Sequence, residues 1–364
     1  YGSDKPDTRF GLEIVQLDVN ELLGQVAGHR GDDITSDEGW RGNIVEALVV
    51  PDGAKYVSRK DLDSLGQLCQ NSQRNYESIV TTLHKYLAES DGERLTGISS
   101  ASLLGRITSS IHVEDGEARL IAGLKEVAGI RPNDLVVISE RSKVLSDSVA
   151  LGFTTMGRVR LHLHQLLSTK GYKFPELLPE GSHSRENDHY SFLWVVDFPL
   201  FTRQVECAAD GSMTVSTNWS STHHPFTAPM VAPDSDVWEC LLGDPGKIRG
   251  QHYDLVLNGL ELGGGSIRIH DPAVQTMVFE KILKLEPAVR NRFQHLLTAL
   301  GQGCPPHGGI ALGLDRLISV LCGSASLRDV IAFPKAADGL DLFNHSPAPV
   351  TTQELAQYGL REID

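Results

Sequence analysis

The chain is poor in cysteine and in positive charge, and it has no long apolar run. The five cysteines, Cys69, Cys207, Cys240, Cys304 and Cys322, are odd in number and widely spaced, with no C-x-x-C pair. That pattern excludes a disulfide framework and a zinc ribbon, and it fits a reducing compartment. No apolar stretch approaches the roughly 18 residues of a membrane-spanning helix. The opening YGSDKPDTRFG is polar, unlike a signal or transit segment. Lysine and arginine total 33 against 47 aspartates and glutamates, a net charge of -14. Broad non-specific binding to nucleic acid needs neutralised phosphates and is therefore disfavoured, so any RNA contact must be local. The chain begins at Tyr1 rather than methionine, and we expect it to be cut from something longer. What remains is ordinary globular composition, 40% hydrophobic and 22% charged over 364 residues, enough for two domains with cores of their own.

The most informative stretch is YDLVLNGLELGGGSIRIH, from Tyr253 to His270. Tyr253 to Leu257 alternates apolar and polar, Asn258-Gly259 is a strong hairpin signal, and the returning strand carries Glu261, three glycines and Arg268. Gly263, Gly264 and Gly265 forgo side-chain packing, which a strand tolerates where a ligand or another backbone comes close. Asp254, Glu261 and Arg268 flank that bare patch. The pattern fits a small-molecule site on a sheet floor; an edge hairpin with solvated charges and a glycine bulge is the alternative. Glu261 and Arg268 are an odd number of residues apart, so an unbroken strand would send them to opposite faces. If they share a site, the glycine triplet must bulge or turn.

In chain order, Tyr1 to Gly11 reads as an exposed loop, with Asp4, Lys5, Pro6 and Asp7 as its turn residues, ahead of an apolar-periodic stretch from Leu12 to Val26. Ile44 to Val50 predicts a strand, and Ser58 predicts a cap for a helix with Leu62, Leu65 and Leu68. Further elements are expected at Ile79 to Leu87, a helix around Leu103 to Ile111, a strand at Leu135 to Ser139 and a long helix within Val144 to Leu167. Pro175 to His189 is polar and breaker-rich, a domain boundary by composition. Phe192 to Phe198 predicts a strand at a sheet centre, and Cys207 to Ser221 a polar loop. His223 and His224 are adjacent, so in extended chain only one of them reaches a given ligand. Asp271-Pro272 opens a helix with Val274, Val278, Ile282 and Leu285 on one face, and Arg290 to Leu300 predicts another.

Gly308 to Leu321 predicts a short buried strand, a break at Gly313 and a helix burying Leu314, Leu317, Ile318 and Leu321. Arg316 falls in that helix's first turn, where a cation opposes the helix dipole by about 0.3–1 kcal/mol. Its place there calls for a nearby anion, either a bound phosphate or a carboxylate elsewhere in the chain.

The blocks FLWVVDFPLF, HHPFTAP, YDLVLNGLELGGGSIRIH, PPHGGIALGLDRL and RDVIAFPK, with YGSDKPDTRFG at the start, resemble the bacterial-type aspartyl-tRNA synthetases from end to end. GLDR is similar to motif 3 of the class II synthetases, and GAKYVSRKDLD and SFLWVVDFPLF are most similar to the animal mitochondrial branch. The resemblance implies an α+β fold: a class II antiparallel sheet flanked by helices, carrying an inserted α+β domain. It divides the chain into the start of the catalytic domain (1–19), the inserted domain (20–188) and the C-terminal part of the catalytic domain with motif 3 (189–364). It implies that Arg268 grips the side-chain carboxylate of L-aspartate, with His223 in a mobile loop closing over the same amino acid. By the same resemblance, Glu261 and Asp254 hold Mg2+ against the ATP phosphates, and Gly313, Leu314, Asp315 and Arg316 receive ATP, with Glu261 and Arg316 as the catalytic pair. The implied partners are the acceptor end of tRNA(Asp) and a second copy in a homodimer, with no membrane. The implied location is the mitochondrial matrix or, alternatively, a bacterial cytoplasm.

The anticodon-binding domain, motif 1, motif 2 and the lysine and glutamine loop of such enzymes are expected to lie outside this sequence. Two other functions remain open on the residues: a non-catalytic paralogue acting as a binding module, and a metal-dependent hydrolase using His223, His224, Asp254, Glu261 and His270.

Overall fold

The computed structural model describes residues 1–17, 43–65, 80–89, 92–96, 116–142, 154–174, 190–207, 213–232 and 234–362. Strands β1 (Ile14–Leu17), β2 (Asn43–Val50), β3 (Val80–Glu89), β4 (Gly92–Leu95) and β5 (Leu135–Ser142) form a sheet ordered β1-β2-β5-β3-β4. Every pairing in it is antiparallel. β2 and β5 read as nearly continuous apolar runs because both faces of the sheet are covered. Val45, Ala47, Val136 and Ile138 pack with Leu120, Ile121 and Leu124 of helix α1 (Gly116–Ala128). Leu48, Val50, Leu135 and Val137 instead pack with Met156, Val159, Leu163 and Leu167 of helix α2 (Thr155–Thr169). Leu163 and Leu167, a turn apart, are fully enclosed, each a contribution of about 1.5–3 kcal/mol. The Thr154 side chain caps α2 by accepting from the Gly157 amide at 3.1 Å. β1 belongs to this sheet although it lies ahead of Asn20, where the inserted unit is expected to begin.

One residue of α2 reaches out of the sheet's core. Arg160 is 1% exposed, and its guanidinium donates to the backbone carbonyls of Asp7 at 2.7 Å, Phe10 at 3.1 Å and Leu12. Its plane also lies over the rings of Phe10 and Tyr1. Burial pushes this guanidinium down to about 10 despite the nearby negative charge of Asp7. The segment Tyr1 to Leu12, whose first part is read above as an exposed loop, is thereby strapped to α2; the loop composition is correct and the exposure is not.

Past β6 (Phe192–Val195), strands β7 (Phe201–Cys207) and β8 (Met213–Ser221) pair as a hairpin, and β9 (Pro229–Met230) pairs with β10 (Arg249–Gly250). Strands β11 (His252–Leu257), β12 (Leu260–Ile267) and β13 (Gly308–Leu312) join β6 in a second antiparallel sheet, ordered β13-β12-β11-β6. Its helices are α3 (Val237–Gly243), α4 (Pro272–Met277), α5 (Pro287–Asn291), α6 (Gln294–Gly301) and α7 (Leu314–Leu321). α4 continues into a π turn over Val278–Ile282, and Val274, Met277, Val278 and Ile282 pack with Leu200, Phe201, Leu241 and Ile269.

Several expectations change here. Phe192 to Phe198 is not a central strand: β6 is the sheet edge, and Asp197 at φ 61° turns the chain away. Its apolar residues Phe192 and Trp194 are exposed, which sequence pattern alone cannot distinguish from burial. Met213 to Ser221 is not a loop but strand β8, paired with β7; residues 208–212 lie outside the described residues. The strand and helix around Gly313 form as expected, but β13 and the apolar residues Leu314, Ile318 and Leu321 are exposed rather than buried, since among the described residues no element covers them. The expected helix around Leu103 to Ile111 and the stretch Pro175 to His189 lie outside the described residues.

Candidate active site

The β11–β12 hairpin turns at Asn258 (φ 52°) and Gly259 (φ 83°), both in the left-handed region that a tight two-residue hairpin turn requires. The Asn258 side chain also accepts from the Ser191 amide at 2.9 Å, tying the turn to the start of β6. Below the turn, Val256 pairs with Glu261 and Leu255 with Gly263, leaving Leu262 as an unpaired extra residue. The glycine triplet itself is regularly paired on both sides, to Leu255, Asp254 and Tyr253 and to Leu312, Ala311 and Ile310. The required irregularity therefore sits one residue before the glycines rather than within them. It shifts the alternation by one, so that Glu261 shares a face with Gly264, Ser266 and Arg268. The Leu262 carbonyl released by the bulge accepts from the Gly313 amide at 2.6 Å and docks the turn that opens α7.

Two kinds of close approach explain the glycines. A Cβ on Gly264 would lie 2.7 Å from Asp254 Oδ1 and 3.2 Å from Glu261 Oε1, so this glycine keeps a gap open between the two carboxylates. A Cβ on Gly265, on the opposite face, would lie 1.9 Å from the Gly309 carbonyl oxygen, so this glycine admits the backbone of β13. Both anticipated reasons for bare positions are present, on different faces of one strand.

At the far end of the face, Arg268 accepts its place from the backbone: its amide donates to the His307 carbonyl at 2.9 Å, and it bridges to Thr227. Its Nη1 contacts both ring nitrogens of His224, at 3.0 Å for Nδ1 and closer for Nε2. Burial first, and then the positive charge of Arg268, lower the His224 pKa, which keeps the ring neutral and able to accept. His223 instead packs edge-on against Phe198, 4.8 Å between centroids, and tilted against the His252 ring at 4.6 Å. Of the adjacent pair, the one touching Arg268 is therefore His224. His252, 5% exposed and facing Ser266 across the ladder, is pushed down to about 3 by burial, reinforced by His223, His224 and Arg268.

At the acidic end, Asp254 is 5% exposed and its Oδ2 has no hydrogen-bond partner among the described residues. Burial, then the charge of Glu261, raises its pKa, and Lys5 opposes that rise. Lys5 Nζ lies 2.6 Å from Asp4 Oδ2, 3.5 Å from Glu261 Oε2 and 3.7 Å from Asp254 Oδ2. Burial works against its charge, but the hydrogen bond and charge of Asp4 and the charges of Asp254 and Glu261 raise it overall. Arg316 Nη1 donates to the Glu261 carbonyl at 2.8 Å and stands 4.0 Å from its carboxylate. The anion demanded by a cation in the first turn of α7 is thus met, within the chain, by Glu261. Asp315 lies in the same first turn, where its charge suits the dipole.

The structure brings Asp254, Glu261, Arg268 and Arg316 to one sheet and its adjoining turn, with Gly313 and Leu314 at the α7 entry; His223 lies behind His252 and His224. Local sequence pattern could not reveal Lys5, His224 as the arginine's partner, His252 or Ser266. The contacts of Lys5 are some 250 residues distant, and His252 reads as an ordinary buried strand position. The buried hydroxyls of Ser266 and Thr227 and both nitrogens of His252 lack hydrogen-bond partners among the described residues, so this floor holds unspent polar groups. Two carboxylates with an open gap and an unpaired oxygen suit a hard divalent cation that takes few protein ligands and completes its shell with phosphates and water. Among the described residues no group of three or more His, Cys, Asp or Glu side chains converges as a metal site.

The profile of the class II tRNA synthetases (D, K and N) matches residues 1–337. The chain is 36% identical over 374 residues to the mitochondrial aspartate–tRNA ligase of Homo sapiens, an alignment covering 99% of this chain and 47% of that protein. It is 39% identical over 358 residues to the mitochondrial aspartate–tRNA ligase of Dictyostelium discoideum, covering 98% and 45% respectively. The aspartate–tRNA(Asp/Asn) ligase of Opitutus terrae is 35% identical over 364 residues, covering 100% and 52%. The chain spans about half the length of the curated relatives it matches.

Proposed function

Because this chain belongs to the class II tRNA synthetases of the D, K and N group, we propose that it carries the amino-acid and ATP site of an aspartate–tRNA ligase. The observation that carries the proposal is the bulge at Leu262, which turns Glu261 onto the face of Asp254 and Arg268 and so sets an acidic and a basic end on one floor. The basic end takes the amino acid. Arg268 offers a planar fork to the side-chain carboxylate of L-aspartate, a match that asparagine's amide cannot make with two accepting oxygens. His224, neutral, holds that fork in place, and His223 lies beside it in the same segment.

The acidic end takes the nucleotide. Asp254 and Glu261 would hold Mg2+, which when bound neutralises charge on the ATP phosphates. Arg316, beside Glu261, faces the terminal phosphates, and the backbone at Gly313, Leu314 and Asp315 borders the same ligand. In the reaction an oxygen of the aspartate α-carboxylate bonds to the α-phosphorus of ATP as the bond to the β-bridging oxygen breaks, giving aspartyl-adenylate and pyrophosphate. A ribose hydroxyl at the acceptor end of tRNA(Asp) then attacks the aspartyl carbonyl and releases AMP. This chain's residues orient the two substrates so that these atoms meet, which removes part of the entropic barrier. A second copy of the protein is the proposed partner, and a mitochondrial matrix or a bacterial cytoplasm the proposed setting. No helix among the described residues is long and apolar enough to cross a membrane.

Titration calorimetry of the protein with L-aspartate and L-asparagine in the presence of Mg2+ and a non-hydrolysable ATP analogue tests the assignment. Aspartate should bind at least about tenfold more tightly, equivalent to ~1.4 kcal/mol. Equal affinities would refute the role given to Arg268 and, with it, the substrate.

A further inference from the structure

We propose that Lys5 is a counter-cation built into the nucleotide end of the site: its ammonium holds the place between Asp254 and Glu261 until a divalent cation displaces it, and then turns to the phosphates that arrive with the metal. The inference rests on the assignment of Asp254 and Glu261 to a metal, and goes beyond it by giving the N-terminal segment a part in ligand exchange.

Three observations carry it. First, Lys5 Nζ stands within 3.5 Å of Glu261 and 3.7 Å of Asp254, distances at which it neutralises charge, while its one short hydrogen bond, 2.6 Å, goes to Asp4 outside the pair. The ammonium is therefore parked beside the carboxylates rather than locked onto them. Second, Asp254 is 5% exposed and its Oδ2 accepts no hydrogen bond, so the pair keeps a buried donor oxygen unspent although a cation is near. An ammonium meant as a permanent structural partner would satisfy that oxygen, because a buried carboxylate gains most when the contact is a hydrogen bond.

Third, Lys5 is held on a short tether. Pro6 fixes the backbone beside it, Asp7 is clamped by Arg9 through contacts of 3.0 Å and 2.6 Å, and the Asp7 carbonyl accepts from the buried Arg160. The Thr8 hydroxyl meets that of Ser191, beside the hairpin's turn, at 2.6 Å. A lysine so anchored can swing its ammonium by a few ångströms but cannot leave. Once displaced it stays at the mouth of the gap, on the side where Arg316 also stands, and the negative charge brought by a nucleoside triphosphate becomes its nearest partner.

Such a cation has effects of opposite sign on two equilibria. It competes with a bare divalent ion, since two loose ion pairs must be given up. It favours the metal–nucleotide complex, since the freed charge gains phosphate contacts. The experiment is Mn2+ binding followed by the loss of the free-ion electron paramagnetic resonance signal, at fixed pH and ionic strength, for the native protein and for Lys5→Met, Lys5→Arg and Glu261→Gln. Lys5→Met should bind Mn2+ alone about two- to tenfold more tightly and Mn2+ with ATP several-fold more weakly, while Lys5→Arg restores both towards native values. Circular dichroism melting of each variant identifies any that fails to fold, and in that case Lys5→Gln is measured in place of Lys5→Met. If Lys5→Met leaves both affinities unchanged, or lowers both together, while Glu261→Gln removes Mn2+ binding, Lys5 is a structural residue and the inference is overturned with the metal assignment intact. If Glu261→Gln binds Mn2+ as the native protein does, the metal assignment itself is wrong and the role of Lys5 falls with it.

Discussion

Substituting Gly264 by alanine separates the fold from the site. The added Cβ would sit 2.7 Å from Asp254 Oδ1, closer than real contacts allow, and 3.2 Å from Glu261 Oε1, tighter than most. Both obstacles are the ends of side chains, so the strand can keep its place while the carboxylates rotate. A forced rotamer costs about 0.5–1.5 kcal/mol, and the stiffer unfolded chain returns about 0.4–1 kcal/mol. Net stability should therefore change by less than about 1 kcal/mol. Ligand binding bears the loss. A carboxylate turned out of the gap removes a charge-assisted contact of about 1.5–3 kcal/mol, or roughly 10- to 100-fold in affinity for the Mn2+–ATP complex. Two neighbours calibrate the result. Gly265→Ala places its Cβ 1.9 Å from the Gly309 carbonyl, a backbone atom that cannot rotate away, so the β12–β13 pairing must open at a cost of about 1–3 kcal/mol or more. Gly309→Ala meets nothing within 4 Å and should stay within about 0.5 kcal/mol of the parent. Urea unfolding and calorimetric titration of the three variants decide the matter. If Gly264→Ala binds Mn2+–ATP as tightly as the parent, or unfolds as early as Gly265→Ala, the gap between the carboxylates is not what the glycine protects.

Other consequences can be measured independently. Arg268→Lys should lose most of the preference for aspartate over asparagine while leaving ATP binding within about twofold, because an ammonium is a point charge where the carboxylate needs two parallel donors; unchanged discrimination in competition titrations would show that Arg268 does not read the side chain. Arg160→Met leaves the carbonyls of Asp7 and Leu12 without their donor, while that of Phe10 keeps the Leu12 amide, and with each unpaired group worth about 1–3 kcal/mol the loss in urea unfolding should be about 2 kcal/mol or more; a loss below about 1 kcal/mol would mean the strap is held by something else. His252 titrates near 6.5 when unfolded and is pushed down to about 3 in the fold by burial and its positive neighbours. The unfolded chain thus binds the extra proton, and stability that is complete above pH 6.5 falls as pH drops towards 3, by about 1.4 kcal/mol per unit below 6.5. His252→Leu should flatten the slope between about pH 6.5 and 5.5, and an unaltered slope in that variant would assign it to other groups.

The hairpin was legible because its signals are local: Asn258-Gly259 dictates the turn, and the odd spacing of Glu261 and Arg268 demands an irregularity between them. The position of that irregularity was not legible, because a bulge at Leu262 and one at a glycine satisfy the same parity. The strand–turn–helix around Gly313 followed from glycine punctuation, yet its exposure did not, since periodicity shows which side chains share a face and not whether anything covers it. β8 was missed for the converse reason: a surface hairpin keeps its polar residues, and Thr214, Thr217 and Ser220 look like loop composition. Long-range partners were beyond reach altogether. Lys5 in a turn-rich segment carries no mark of two carboxylates far along the chain, and neighbouring His223 and His224 become distinguishable only once Arg268 and Phe198 are placed.

The strap made by Arg160 also sets an order of events. Its three acceptors lie 148 to 153 residues earlier in the chain, and contacts of such separation form late because the intervening chain must first be closed. During synthesis Tyr1 to Leu12 is made before α2 and lacks the Arg160 anchor until α2 exists, and Lys5 does not meet Asp254 and Glu261 until the hairpin follows. Residues made well before their partners are thus seated late. A peptide covering the first dozen residues, supplied in trans to a chain lacking them, should therefore find its groove already formed, as the final piece rather than as a nucleus.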